Sequence, residues 1–163
     1  MNILEELQLE LESEYEITKK FIERYPEDKN DWKPHQKSMI IKKLAIHIVE
    51  IFAWPAFIMN TEFLDFASNP YTQPDIKTRK ELQEKLEEDY NKGLEALKKI
   101  TLETLDGSWD IRQGDVVFQK WSKYGAIRHG FKQITHHRAQ LGVYYRLLDI
   151  PVPASYGPSA DEQ

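Results

Sequence analysis

The sequence predicts a single all-α domain, an antiparallel bundle of four helices that covers residues 1–163. Long segments of the chain repeat apolar residues at steps of three and four between charged ones, which is the spacing of one buried helix face. Prolines interrupt or follow these segments. A chain of this length fits one domain of the common size and can bury a core without disulfides.

Helix one is predicted over residues 3–25. Its apolar face recurs at three- and four-residue steps, Glu and Lys side chains lie between these positions, and Pro26 ends the helix. The residues of this face are Leu4, Leu7, Leu11, Tyr15, Thr18, Phe21, Ile22 and Tyr25.

Helix two is predicted from Met39 to Trp54. Ser38 is a suitable N-cap, although the first turn could also start at residue 35 or 36. Pro55 either kinks or ends this helix, and residues 57–59 are compatible with a continuation. The segment 60–74 contains two prolines and is predicted to be irregular.

Helix three is predicted over residues 76–100 and helix four over residues 123–148, where Pro151 and Pro153 follow. Between them, residues 102–121 form a long connection with two glycines and short mixed runs. These runs are compatible with a short hairpin of two strands. Long connections in compact domains often cover a functional site.

Composition excludes several classes of function. The chain contains no cysteine, which rules out disulfides, thiolate metal sites and a cysteine nucleophile. The net charge is −5 without a basic stripe, so we expect no nucleic-acid partner. The sequence contains no run of about eighteen apolar residues, so it predicts no membrane span. The acidic N-terminus lacks a secretory signal, so we expect a cytoplasmic protein. The sequence contains neither a G-x-S-x-G motif nor a glycine-rich phosphate loop, so it predicts neither a serine hydrolase nor a nucleotide site.

Two histidines lie on apolar helix faces. His47 follows Leu44 by three residues, and His137 precedes Leu141 by four. Neutral imidazoles from facing helices are good ligands for divalent metals. The alternative is that each is a core histidine bonded to a backbone carbonyl or a tyrosine. The spacing alone leaves both interpretations open.

Several motifs resemble the DinB/YfiT superfamily. The run HHRAQL at residues 136–141 is similar to the H-R-G-Q-L pattern in the last helix of that superfamily. The runs PHQKSM at 34–39 and LAIHIVE at 44–50 resemble the second helix of one branch, and residues 150–162 resemble its C-terminal tail. The resemblance covers the whole chain in architecture. It implies a four-helix bundle with a central divalent metal.

The resemblance also implies the positions of three metal ligands, normally all histidines. Carried over by position, these are His47, His137 and residue 133, which here is Gln133. A glutamine oxygen can bind a metal, but it is a neutral and weaker ligand than imidazole. The expected cofactor is therefore zinc or nickel at a weakened site.

Four further residues could support or complete this site. Glu50 lies three residues after His47 and could bind the metal or orient that ring, or could be a surface carboxylate. His129 is one turn before Gln133. His136 is adjacent to His137 but about 100° away around the helix. Arg138 could orient the ligands or the C-terminal tail, or make an ordinary interhelical hydrogen bond.

The tail itself is polar for the end of a domain. We expect Tyr156 and Asp161 to hold it against the bundle.

Three alternative functions remain open, and only the first is what the resemblance implies. The first is a metal-dependent transferase that activates a low-molecular-weight thiol for addition to a small electrophile during stress. The second is a metal-free protein that acts by binding or oligomerisation, which Gln133 favours. The third is a metal-dependent hydrolase. Because helix one is rich in apolar residues and relatives commonly pair, we also expect a two-fold symmetric homodimer.

Overall fold

The computed structural model of the protein describes residues 2–68 and 71–163. This part of the chain is mostly helical, as predicted, but it also contains a small three-stranded sheet, so the domain is not purely all-α. No helix within these ranges is long and apolar enough to cross a membrane. The helices are α1 (Ile3–Glu23), α2 (Ile41–Ile51), α3 (Trp54–Asn60), α4 (Arg79–Lys98), α5 (Leu102–Asp106) and α6 (Lys123–Leu147). The strands are β1 (Phe63–Asp65), β2 (Ser108–Gln113) and β3 (Val116–Ser122).

A four-helix bundle is present as α1, α2, α4 and α6, which pack around one hydrophobic core. The predicted antiparallel arrangement is wrong for α1 and α6, which run in the same direction: Glu10 pairs with Arg128 near their starts, and Phe21 accepts from Tyr145 near their ends.

Helix α6 matches its predicted range because Ser122 caps its start and accepts a hydrogen bond from the amide of Gly125. Helix α4 begins three residues later than predicted. Thr78 and Glu81 form a reciprocal capping box there, which defines the first turn.

The predicted second helix is divided in two. It starts at Ile41 rather than Met39, and Ser38 is not its cap because Ile40 occupies the N-cap position. Phe52 and Ala53 separate α2 from α3, and Pro55 lies in the first turn of α3, where a missing N–H has no cost.

The break between α2 and α3 packs directly against α4. A Cβ atom at Gly93 would lie 2.1 Å from the carbonyl oxygen of Phe52, so only glycine allows this approach. The close packing of α4 on this break brings the residues after α2 over the middle of the bundle.

The sheet has the order β1-β2-β3, with β1 parallel to β2 and β2 antiparallel to β3. The hairpin predicted within residues 102–121 is therefore confirmed. Strand β1 lies in the segment 60–74 that was predicted to be irregular, so that prediction is wrong for residues 63–65. Residues 69 and 70 of this segment lie outside the described residues.

Strand β1 is held by contacts that are distant in sequence. The Phe66 amide donates to the carbonyl of Arg112 (3.0 Å), and Asp65 Oδ1 accepts from the amide of Gly114 (3.0 Å). No local apolar alternation encodes these contacts, which explains why the sequence did not reveal the strand.

The C-terminal tail folds back on the bundle, as predicted. Asp161 pairs with Arg146 (2.6 Å) and accepts from the amide of Val152 (2.9 Å). The Tyr156 hydroxyl donates to Glu14 (2.6 Å), which anchors the tail to α1.

Candidate functional site

His47 on α2 and His137 on α6 meet inside the bundle. Their ring centroids are 4.7 Å apart and the ring planes are inclined by 73°. Both side chains are half-buried, and the flanking residues Ile46 and Ile48 of α2 are buried in the core. The expected juxtaposition of the two histidines is confirmed.

The surroundings keep both rings neutral at pH 7. Burial and the neighbouring His137 lower the pKa of His47 to about 4. Burial also lowers the pKa of His137, although its hydrogen bond with Gln140 opposes this effect. A neutral imidazole has one nitrogen with a free lone pair, which is the state that binds a metal.

Gln140 determines which nitrogen of His137 is free. Its Nε2 bonds to the ring of His136 (3.2 Å), so its Oε1 accepts from Nδ1 of His137 (2.9 Å). Nε2 of His137 therefore carries the lone pair. His136 itself is exposed on α6, and its contact with the site is through Gln140 and the adjacent His137 ring.

Gln133 is turned toward His129. Its Nε2 lies 3.3 Å from Nε2 of His129. Donation of this bond leaves the carbonyl oxygen of Gln133 directed away from His129. His129 stacks on Trp121 at 4.8 Å, and Trp54 lies between it and His47, with ring centroids 6.4 Å from each.

The remaining predicted residues are engaged elsewhere. Arg138 is buried and binds Glu14 (2.6 Å), Thr18 (2.9 Å) and Tyr156 (2.8 Å), so it joins α6 to α1 and the tail. Glu50 accepts a hydrogen bond from the hydroxyl of Tyr71. Burial raises the pKa of Glu50, and the bond from Tyr71 opposes this rise.

The donor set is smaller than that of a three-histidine centre. Within residues 2–68 and 71–163, no group of three His, Asp or Glu side chains could hold a metal ion. His47 and His137 supply two imidazole nitrogens, and the oxygen of Gln133 is the third donor available by position. These residues fit a weak divalent site rather than a closed structural one.

A cavity of about 620 Å³ opens beside His47, a volume within the usual range for small-molecule sites. Its apolar wall comes from α3 and from the sheet, so the long connection does cover the site. The residues of this wall are Ala53, Trp54, Phe57, Leu64, Phe66, Trp109 and Ile111. Four charged residues also line the cavity, namely Glu50, Lys85, Asp89 and Lys92.

Sequence analysis did not identify Asp89, which is 1% exposed. The available signal was its position on α4, three residues after Leu86 and eight before Leu97 on the buried face. A carboxylate at such a position needs a partner, and Lys85 supplies one at 2.5 Å.

A helical bundle in which histidines of two facing helices meet beside a cavity belongs to the class that builds ligand and metal sites between helices. The family model of the DinB family matches residues 1–163, and the chain belongs to this family.

Two solved structures share the fold. A DinB-like protein (YjoA) of Bacillus subtilis is 20% identical, with 97% of this chain and 99% of that chain covered and a TM-score of 0.68. A protein assigned to the DinB family from Exiguobacterium sibiricum is 15% identical, with 94% and 97% covered and a TM-score of 0.64. No curated protein matches this chain.

Proposed function

We propose that this protein binds a divalent metal ion, zinc or nickel, between His47 and His137 and transfers a low-molecular-weight thiol to a small electrophile. The observation that carries the proposal is the contact between two neutral imidazoles, 4.7 Å apart, at the edge of a large apolar cavity. A bound metal ion lowers the pKa of a thiol that coordinates it and so supplies a nucleophile at neutral pH.

Other residues of the protein would orient the metal ligands and bind the electrophile. Gln140 holds the His137 tautomer through the 2.9 Å bond to Nδ1. The aromatic wall formed by Trp54, Phe57 and Trp109 offers an apolar surface to the electrophile and excludes water from it. Gln133 contributes one neutral oxygen, so we expect the metal to bind more weakly than at a three-histidine site.

A second candidate is a metal-free protein that binds a small molecule in the same cavity. It is favoured by the hydrogen bond from Gln133 to His129, which engages the third ligand position within the protein. The two candidates differ in whether binding and activity depend on metal.

Metal titration separates them. Untagged protein stripped by a chelator would be titrated with zinc and with nickel against a competing chelator, together with His47→Asn, His137→Asn and, as control, the exposed His35→Asn. The metal proposal expects one ion per chain, with affinity at least tenfold lower in both site variants and unchanged in the control. If the native protein binds no ion, the metal proposal is wrong and the metal-free candidate is favoured. If the site variants bind an ion as tightly as the native protein does, His47 and His137 are not its ligands.

Transfer is tested with cysteine as the thiol and 1-chloro-2,4-dinitrobenzene as the electrophile. The sulfur would form a bond to the ring carbon, chloride would leave, and the thiol proton would pass to solvent. The proposal expects the rate to require added metal and His47. A rate equal to that without protein contradicts thiol transfer.

A further inference from the structure

We infer that the cavity beside His47 takes a molecule with a primary ammonium group on an apolar body, and that the ammonium group binds at Asp89. The carboxylate of Asp89 is 1% exposed and lines this cavity. Its Oδ2 accepts from Lys85 at 2.5 Å. Its Oδ1 has no hydrogen-bond partner within the described residues, since Lys92 Nζ lies 3.7 Å away.

An unpaired buried carboxylate oxygen is costly, and a donor from a ligand removes that cost. Leaving such an acceptor unsatisfied destabilises a protein, and the cost is larger for a charged group than for a neutral one. Buried polar atoms without a partner in the native state therefore often mark a position that another molecule fills.

The charged groups of the lining leave one acceptor for a donor from the ligand. Lys85 pairs with Asp89 and Lys92 pairs with Glu88, both at 2.5 Å. Glu50 accepts from the Tyr71 hydroxyl. Two carboxylates and two ammonium groups line the cavity, and among them Oδ1 of Asp89 is an acceptor without a hydrogen bond from the described residues. An ammonium group would donate a charge-assisted hydrogen bond to it, which is stronger than one from a neutral donor.

The aromatic residues of the cavity lining suit the apolar body of such a molecule. Trp54, Phe57 and Trp109 present aromatic surface, which accommodates an apolar body and also attracts cations through the ring faces. The volume of about 620 Å³ is sufficient for a molecule of drug-like size.

This inference deepens the proposed function, because it takes the cavity as the site of the organic substrate, but ammonium binding at Asp89 needs no metal. It is therefore tested on chelator-stripped protein, where failure of the metal site has no influence on the result.

Three probes of nearly equal shape and different charge test the inference: 2-phenylethylamine, 2-phenylethanol and 3-phenylpropionate. Calorimetry on the native protein should show the amine binding at least tenfold more tightly than the alcohol, with the anion weakest. Equal affinities, or a preference for the anion, would overturn the inference. Indole NMR signals of Trp54 and Trp109 should shift with the amine, and that of Trp32, which packs on Tyr144 and does not line the cavity, should not. Amine binding without a shift at Trp54 and Trp109 would also overturn it.

Variants then assign the binding atom. Asp89→Asn should remove the tenfold preference for the amine, and Glu84→Gln, an exposed carboxylate of the same helix, should keep it. If Asp89→Asn does not fold, Glu50→Gln provides the second measurement and should reduce the preference at least threefold. An unchanged preference in a folded Asp89→Asn protein would exclude Asp89 as the ammonium site.

Discussion

The rings of His47 and His137 lie 4.7 Å apart, and Gln140 holds His137 so that Nε2 keeps its lone pair. The two rings come from α2 and α6, which pack against each other along the bundle. The packing of these two helices brings the pair together, and we expect the third position, residue 133, to decide how strong a metal site the pair can form.

Replacing Gln133 with histidine should strengthen metal binding. Residues 133 and 137 are four apart on α6 and share one face, so a third imidazole would join the pair. We expect affinity for zinc or nickel to rise by more than tenfold, or about 1.4 kcal/mol, in a chelator competition titration.

Two further variants control this result. His137→Ala in the Gln133→His background should cancel the gain, and His35→Ala, at an exposed position outside the site, should leave native affinity unchanged. If Gln133→His binds no more tightly than the native protein, residue 133 does not reach the ion. Glu50 and His129 would then be the next residues to replace.

Gly93→Ala should destabilise the protein, because its Cβ would lie 2.1 Å from the Phe52 carbonyl oxygen. Overpacking of a closely packed interior typically costs about 1–3 kcal/mol. Urea denaturation should show a loss of this size in the free energy of unfolding. Gly157→Ala is the matched control, since no atom lies within 4 Å of the added methyl group. Equal stabilities of the two variants would contradict the close approach.

Tyr156→Phe should weaken the attachment of the tail. The hydroxyl bonds to Glu14 (2.6 Å), Arg138 (2.8 Å) and Thr135 (2.9 Å), and its loss leaves part of a buried ion pair without a partner. We expect a loss of about 1–3 kcal/mol in the free energy of unfolding. Tyr124→Phe serves as the control and should change stability by less than about 0.5 kcal/mol, as for ordinary surface substitutions.

The pair formed by Asp110 and Arg112 should make the sheet sensitive to acid. Two 2.6 Å hydrogen bonds from Arg112 lower the pKa of Asp110 below its ordinary value. In the unfolded state the Asp110 carboxyl group has an ordinary pKa of about 3.9. At a pH between this value and the lower folded pKa, the unfolded state therefore binds more protons than the folded state. The stabilisation is fully present above that pH and is lost as the pH falls through the lower folded pKa.

Asp110→Asn should remove this dependence. Its stability relative to the native protein should be lowest near neutral pH and should approach the native value as the pH falls through the lowered pKa of folded Asp110, where the native carboxylate becomes protonated. Unfolding curves at several pH values would measure this difference. A stability curve for Asp110→Asn that runs parallel to that of the native protein at every pH would refute the assignment.

We propose that the protein forms a two-fold symmetric homodimer. Leu9 on α1 and Val143 and Leu147 on α6 are each 58% exposed, which leaves apolar surface on two neighbouring helices. Sedimentation velocity at micromolar concentration should show a dimer, and Leu9→Glu or Val143→Glu should dissociate it. A native protein that sediments only as a monomer would refute the proposal.

Sequence by itself determined the elements whose signals are local. The apolar repeat of residues 3–25 and the cap at Ser122 specify α1 and α6, because helix periodicity and capping depend on residues within a few positions of each other. The same periodicity predicted that His47 and His137 point toward the bundle interior. The family motif at residues 136–141 was recognisable from the sequence alone.

Tertiary structure alone decided the remaining features. Strand β1 exists because its backbone pairs with β2, and the second helix breaks where the Phe52 carbonyl packs on Gly93. The rotation of Gln133 toward His129 and the unpaired oxygen of Asp89 likewise depend on neighbours from other elements or turns. Hydrogen bonds and close packing between distant segments leave no periodic trace in the chain, since they depend on which surfaces meet once the bundle has formed.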